Sequence, residues 1–269
     1  MILKTKPVGL LAASLAILIS SCATNPYAVT NKAHKKQAKN LAKTVRQVPD
    51  AYPGLDWVGT TNFNLRKPNY VIIHHTAQNS TEQTLKTFIT PKTQVSSHYV
   101  IGRDGKVYQM LSDYLRSWHG GASKWGNATD INSSSIGIEL DNNGFEAFSD
   151  AQINSLMDVL AKLKKTHGIP AGNFIGHSDI APGRKVDPNA NFPWKKLAEN
   201  GYGLWPDAVL EPIPENFNPQ DALRIIGYDT KNMNYAIQSF KLHFIQTDIN
   251  PELTDYDKQV LFNLYKKYF

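Results

Sequence analysis

The run Tyr70-Val71-Ile72-Ile73-His74 constrains the fold more than any other segment. It is β-branched and apolar, so it reads as a strand buried in a sheet, and it ends on an imidazole. Its neighbours supply the rest of a layered domain. Thr81 to Ile89 predicts a short helix stopped by Pro91. His98-Tyr99-Val100-Ile101 and Lys106-Val107-Tyr108-Gln109-Met110 flank Asp104-Gly105, a dipeptide suited to a tight hairpin. Ile136-Gly137-Ile138-Glu139-Leu140 alternates, with Ile136, Ile138 and Leu140 on one face and Glu139 on the other. A longer helix follows, capped by Ser149 with Gln152 as capping-box partner. Ile153, Leu156, Met157, Leu160 and Leu163 form its stripe, and Gly168 with Pro170 ends it. Asn173 to Gly176 reads as a short strand leading into His177. Strands and helices interleaved around a hairpin predict an α/β fold, a central mixed sheet flanked by helices, over residues 51–205.

Both ends of the chain have a different texture. Residues 206–214 are proline-rich and read as a linker, and residues 215–269 as a small three-helix domain. Asn218-Pro219 opens its first helix and Gly227 closes it. Tyr235, Ile237, Phe240, Phe244 and Ile245 suit a second, and Thr254 caps a third carrying Val260, Leu261 and Leu264. At the other end, Lys4 and Lys6 precede an apolar run from Val8 to Ile19 that is too short to span a bilayer. The following Ile19-Ser20-Ser21-Cys22 resembles the bacterial lipobox. Residues 1–21 then read as a lipoprotein signal peptide and Cys22 as a lipid attachment point carrying palmitate. An ordinary secretory peptide is the alternative. Cys22 is the single cysteine, so no disulfide can form within the chain. Ala23, rather than Asp, follows it, which resembles an outer-membrane address facing the periplasm in Gram-negative envelopes. Residues 22–50 read as a polar, Lys-rich tether in which Val29, Ala33, Leu41 and Val45 could give a weak helix. It is either a solvated spacer or a segment drawn to anionic lipid or wall.

The formal charge of +6 comes from that leader. Residues 1–50 hold eight of the 29 Lys and Arg and one acid, leaving 21 basic and 22 acidic residues elsewhere. A near-neutral body lacks the basic patch that phosphate binding needs, so no nucleic-acid partner is expected. Nothing in the chain requires more than a monomer.

Several reaction types are missing. There is no Gly-x-Ser-x-Gly elbow, no Gly-rich phosphate loop and no His-Glu-x-x-His helix. With its cysteine assigned to lipid, a thiol nucleophile is excluded. What remains is histidines and carboxylates at strand ends: His74, Glu139, and a loop from His177 to Pro188 dense in ionisable and turn-forming residues. Two neutral imidazoles and one carboxylate satisfy three tetrahedral positions of zinc at about 2.0–2.2 Å, leaving the fourth for water. Amide hydrolysis also needs a base and a positive group for the oxyanion, and Glu139 and Lys185 are suitable types. His74 and His177 lie too far apart for a local metal signature, so the residues alone do not select the set.

The segments Ile72-Ile73-His74-His75-Thr76, Ser135-Ile136-Gly137-Ile138-Glu139, and Gly176 to Lys185 with Asp187-Pro188 resemble the type 2 zinc N-acetylmuramoyl-L-alanine amidases. Phage T7 lysozyme and the peptidoglycan-recognition proteins belong to that superfamily. The resemblance runs from about Trp57 to Trp194, and Ser97-His98-Tyr99 and Trp118-His119-Gly120 fall in similar places. It implies that His74, His177 and Asp187 hold one zinc ion. It further implies Glu139 as general base, Lys185 on the oxyanion, and His119 and Arg184 along a groove for peptidoglycan or muropeptides. Residues 215–269 resemble, less specifically, a small peptidoglycan-binding module. A wall receptor that binds without cutting, and a zinc peptidase acting within the stem peptide, are the competing functions.

Individual residues remain open at this level. Adjacent strand residues point to opposite faces, so one of His74 and His75 can meet the metal, and the resemblance favours His74. His98 reads as a satisfied polar group beside the hairpin, and His34, His167 and His243 as solvated or helix-end residues. Asp179 reads as orienting its loop. Trp118 and Trp125 could stack on sugar rings or be buried.

Overall fold

The computed structural model describes residues 25–46, 62, 64–65 and 67–269. Cys22, the expected signal peptide and Trp57 lie outside the described residues. The chain divides into two compact units, 1–61 and 62–269. The described part of the first is dominated by one helix, α1 (Ala28–Arg46), 19 residues long with no buried side chain. The described part of the segment expected to be a tether is thus largely helical, although it has no buried side chain. Among the described residues no helix is long and apolar enough to cross a membrane.

The second unit runs β1 (Tyr70–His75), α2 (Thr81–Ile89), β2 (Tyr99–Ile101), β3 (Val107–Gln109), β4 (Ser135–Leu140), α3 (Asp150–His167), β5 (Phe174–Gly176), α4 (His177–Ile180) and α5 (Trp194–Glu199). The helices α6 (Pro219–Ile226), α7 (Met233–Phe244) and α8 (Asp255–Tyr268) complete it. The sheet order is β3-β2-β4-β1-β5, parallel except for the β2–β3 hairpin. The β1 run, with β4 and β5 on either side, is buried from Val71 to His75, which suits its β-branched composition.

Alternation along the strands separates two cores. Val71, Ile73, Ile136, Ile138 and Leu140 cluster with Leu156, Leu160 and Leu163 of α3 and Leu197 of α5. Ile72 and Ile175 belong instead with Trp125, Ile180, Leu223, Phe240 and Leu261. The C-terminal helices therefore share a core with the second face of the sheet, within the one unit 62–269.

Local signals account for the helix ends. The Ser149 hydroxyl accepts from the Gln152 N–H at 3.1 Å, and Gly168, at φ 67°, closes α3. The expected capping box is half formed. The Gln152 side chain is buried, and its amide donates to the carbonyls of Ile101 at 2.9 Å and Asp141 at 3.1 Å. Buried carbonyls at the sheet's end compete better for that donor than an exposed cap does.

Phe240 is fully buried in the second core. Phe240→Ala should lower the unfolding free energy by about 3–5 kcal/mol. Urea unfolding followed by far-ultraviolet circular dichroism and tryptophan fluorescence should give coincident midpoints. Two separated transitions would contradict a shared core.

Candidate active site and metal centre

Three adjacent parallel strands deliver the site at their C-terminal ends, where open α/β sheets place their ligands. In the β1–β4 register His74 lies beside Glu139, and β5 runs directly into His177 on the single turn of α4. Asp187 returns through the following loop, whose path is fixed by the Ser178 N–H donating to the Asp187 carbonyl at 2.8 Å. The loop turns at Gly183, φ 75°, where a β-carbon would sit 2.3 Å from Tyr235 of α7. The backbone can approach that helix because the position carries no side chain.

The result is a triangle of ligand atoms. His74 Nδ1 and His177 Nδ1 lie 2.9 Å apart, and Asp187 Oδ2 lies 3.1 Å from the first and 3.0 Å from the second. Among the described residues this is the group of three metal-ligating side chains that converges on one point. Hydrogen bonds behind the triangle determine what it presents. The Ser135 hydroxyl donates to the Ile131 carbonyl at 2.6 Å, so its oxygen accepts from His119 Nε2 at 3.0 Å. His119 Nδ1 then accepts from His74 Nε2 at 3.0 Å, and His74 Nδ1 is left as a bare lone pair. His177 Nε2 donates to the Gly120 carbonyl at 3.1 Å, which frees its Nδ1 likewise. Two lone pairs and a carboxylate oxygen thus face one another at contact distance, a set that repels itself unless a cation lies between them. The donor set fits zinc, and each imidazole has the outer partner expected of a metal ligand.

The electrostatics agree. Burial, then the neighbouring His177, push the His74 imidazole down to about 4. Burial, then Asp187, push Glu139 up to about 8, with Lys185 opposing. Glu139 Oε2 is buried without a hydrogen-bond partner among the described residues. An unpartnered buried carboxyl is costly to the fold and marks a working group rather than a structural one.

A cavity of about 420 Å³ opens over these atoms, bordered by Lys185, Arg184, Val186, Trp118 and Phe88. Lys185 and Trp118 both border this cavity, and Trp118 is 53% exposed at the rim. Trp125 is buried against Tyr228. His119 borders the cavity but spends both ring nitrogens on His74 and Ser135, so its role is to hold His74. Arg184 Nη2 donates to the carbonyls of Gly120 at 2.8 Å and Ala122 at 2.7 Å, tying the metal loop to the wall of the groove. His75 also borders the cavity but is not one of the converging ligands, and its Nδ1 accepts from the Asn189 N–H at 3.1 Å. His98 is a satisfied core histidine, donating to the Leu115 carbonyl at 2.8 Å and accepting from the Gly137 N–H at 3.1 Å.

A second network braces α4. The fully buried Asp179 accepts from the Gly176 N–H at 2.6 Å, the Tyr228 hydroxyl at 2.7 Å and His243 Nδ1 at 2.7 Å. Asp179 thus orients its loop, as expected. His243, expected to be solvated or a helix-end residue, is 2% exposed and stacked between Trp194 and Phe244. Neither Tyr228 nor His243 carries a local sequence signal for this role.

Three measurable consequences follow from these contacts. A β-carbon at Gly137 would lie 2.5 Å from the His119 ring, so Gly137→Ala should displace His119 and weaken divalent-metal binding in a chelator competition. Unchanged affinity would remove His119 from the support of His74. Tyr228→Phe should lower stability by about 1–3 kcal/mol, read by urea denaturation, by leaving Asp179 short of a donor. The imidazoles of His74, His98 and His119 are all held below the ordinary value near 6.5 by burial. Below pH 6.5 the unfolded chain takes up protons that the folded metal-free chain refuses, so its melting temperature should fall toward pH 4.

Comparison with known proteins gives the family. Residues 64–190 match the N-acetylmuramoyl-L-alanine amidase family. The chain is 31% identical to the Escherichia coli N-acetylmuramoyl-L-alanine amidase AmiD, over 94% of this chain and 95% of that protein. A solved complex of E. coli AmiD with anhydro-N-acetylmuramic acid-L-Ala-D-gamma-Glu-L-Lys superposes with a TM-score of 0.68 at 29% identity, covering 81% of this chain and 97% of the other. The Pseudomonas aeruginosa AmpDh3 structure gives 0.70 at 25% identity, covering 82% and 99%. The chain belongs to the N-acetylmuramoyl-L-alanine amidase family.

Proposed function

We propose that this chain is a zinc-dependent hydrolase of the amide between N-acetylmuramic acid and L-alanine in peptidoglycan or its fragments, acting in wall turnover. The observation that carries the proposal is the triangle of His74 Nδ1, His177 Nδ1 and Asp187 Oδ2 with an unpartnered Glu139 one strand away. His74, His177 and Asp187 would hold the ion. When bound, zinc polarises a carbonyl and makes a neighbouring water more acidic.

The protein groups divide the remaining work. Glu139, buried beside the ligand triangle with one oxygen unpartnered, takes the proton of the attacking water and returns it to the departing alanine amine. Lys185, at the same cavity, places positive charge where the carbonyl oxygen gains negative charge. Trp118 offers an apolar face to a sugar ring at the rim. Arg184 shapes the groove through its loop contacts and can meet a stem-peptide carboxylate with the rest of its guanidinium. Acylation of Cys22 would anchor the enzyme to the outer membrane, facing the periplasm and its wall substrate.

Digestion of an anhydro-muropeptide, analysed by mass spectrometry with and without chelator, tests the assignment. Sugar and intact stem peptide should appear, and chelator should abolish them. Cleavage within the peptide would identify a zinc peptidase, and binding without products a receptor. Glu139→Ala should retain zinc and lose at least about a hundredfold in kcat, the scale of general-base catalysis. Asp187→Ala should lose zinc itself, so full occupancy in that variant would refute its place in the triangle.

A further inference from the structure

Helix α1 carries six cationic side chains, Lys32, Lys35, Lys36, Lys39, Lys43 and Arg46, and no carboxylate. At 3.6 residues per turn, all six project within an arc of about 100°. Every one is exposed. Lys32 and Lys36, Lys35 and Lys39, and Lys39 and Lys43 are neighbours on that surface, and like charges at this spacing oppose helix formation. The helix holds no acid to relieve them, so an external anionic surface is the natural complement of the stripe. Leu41 and Val45 lie together on the side opposite the stripe and Val29 borders it, too few apolar residues for a face that could wedge between acyl chains beneath the cations.

We propose that α1 lies along the anionic phosphates of the membrane to which the chain is anchored, reading them with its cationic stripe. The proposal rests on the reading of Cys22 as acylated. Five residues lie between Cys22 and Ala28, a reach of at most about 22 Å. The acyl chains would thus hold the helix beside the headgroups at high effective concentration. With its stripe face down, the helix would fix the path by which the chain leaves the bilayer.

The test uses the mature chain carrying Cys22→Ser, which has no acyl group. It is titrated with vesicles of phosphatidylethanolamine containing about a quarter phosphatidylglycerol, and with vesicles in which phosphatidylcholine replaces the anionic lipid. Binding should require the anionic lipid and weaken steeply as salt rises. Each cation near such a surface contributes about fivefold, so Lys32→Gln, Lys36→Gln and Lys39→Gln together should weaken binding on the order of a hundredfold. A second variant keeps the charge but moves it off the stripe, by Lys36→Gln with Gln37→Lys and Lys43→Thr with Thr44→Lys. It should also bind more weakly. Both variants should cleave a soluble muropeptide at the unaltered rate.

Equal binding to both vesicle types, undiminished binding by the relocated variant, or pelleting with purified sacculi but not vesicles would each overturn the proposal. Incorporation of labelled palmitate into the full chain tests Cys22 separately. Labelling without vesicle binding would sink the helix proposal and keep the anchor. Vesicle binding without labelling would keep the stripe's lipid preference and remove the anchor.

Discussion

The site hangs on the carboxylate of Asp179. It sits in the same helical turn as His177, fully buried, and its three donors come from the end of β5, the segment after α6 and the end of α7. A buried charge is tolerated when it is well supplied with hydrogen bonds, and these are all 2.7 Å or shorter. The arrangement ties the position of His177, one of the three candidate metal ligands, to helices that contribute none of them. Whatever affinity the C-terminal helices have for the wall, they are part of the frame that holds the imidazole.

Much of this architecture was legible because the signals were local. The β-branched run of β1, the capped and Gly-terminated α3, and the alternation that separates Glu139 from Ile136 and Ile138 each depend on residues within a few positions. The candidate site was legible in a different way. Nothing local joins His74 to His177 and Asp187; only the resemblance to the amidase family groups them, and the parallel register of β1 with β4 and β5 shows how they meet.

What stayed hidden needed contacts across the fold. His119 became a support for His74 only because Gly137 leaves room for its ring and Ser135 stands behind it. His243 looked like an ordinary helix-end residue, since its partner lies 64 positions away. Gln152 kept its backbone at the cap of α3 but gave its side chain to the sheet. In each case a polar group was claimed by a buried partner that sequence spacing does not reveal.

The line of groups behind His74 also limits where protons can travel. From His74 it passes through His119 and Ser135 and stops at the Ile131 carbonyl, a peptide oxygen with no proton to give and little basicity to accept one. The line is a cul-de-sac. It can lock a tautomer but cannot drain or supply protons, so proton traffic must use the cavity side, which Glu139 and Lys185 both border.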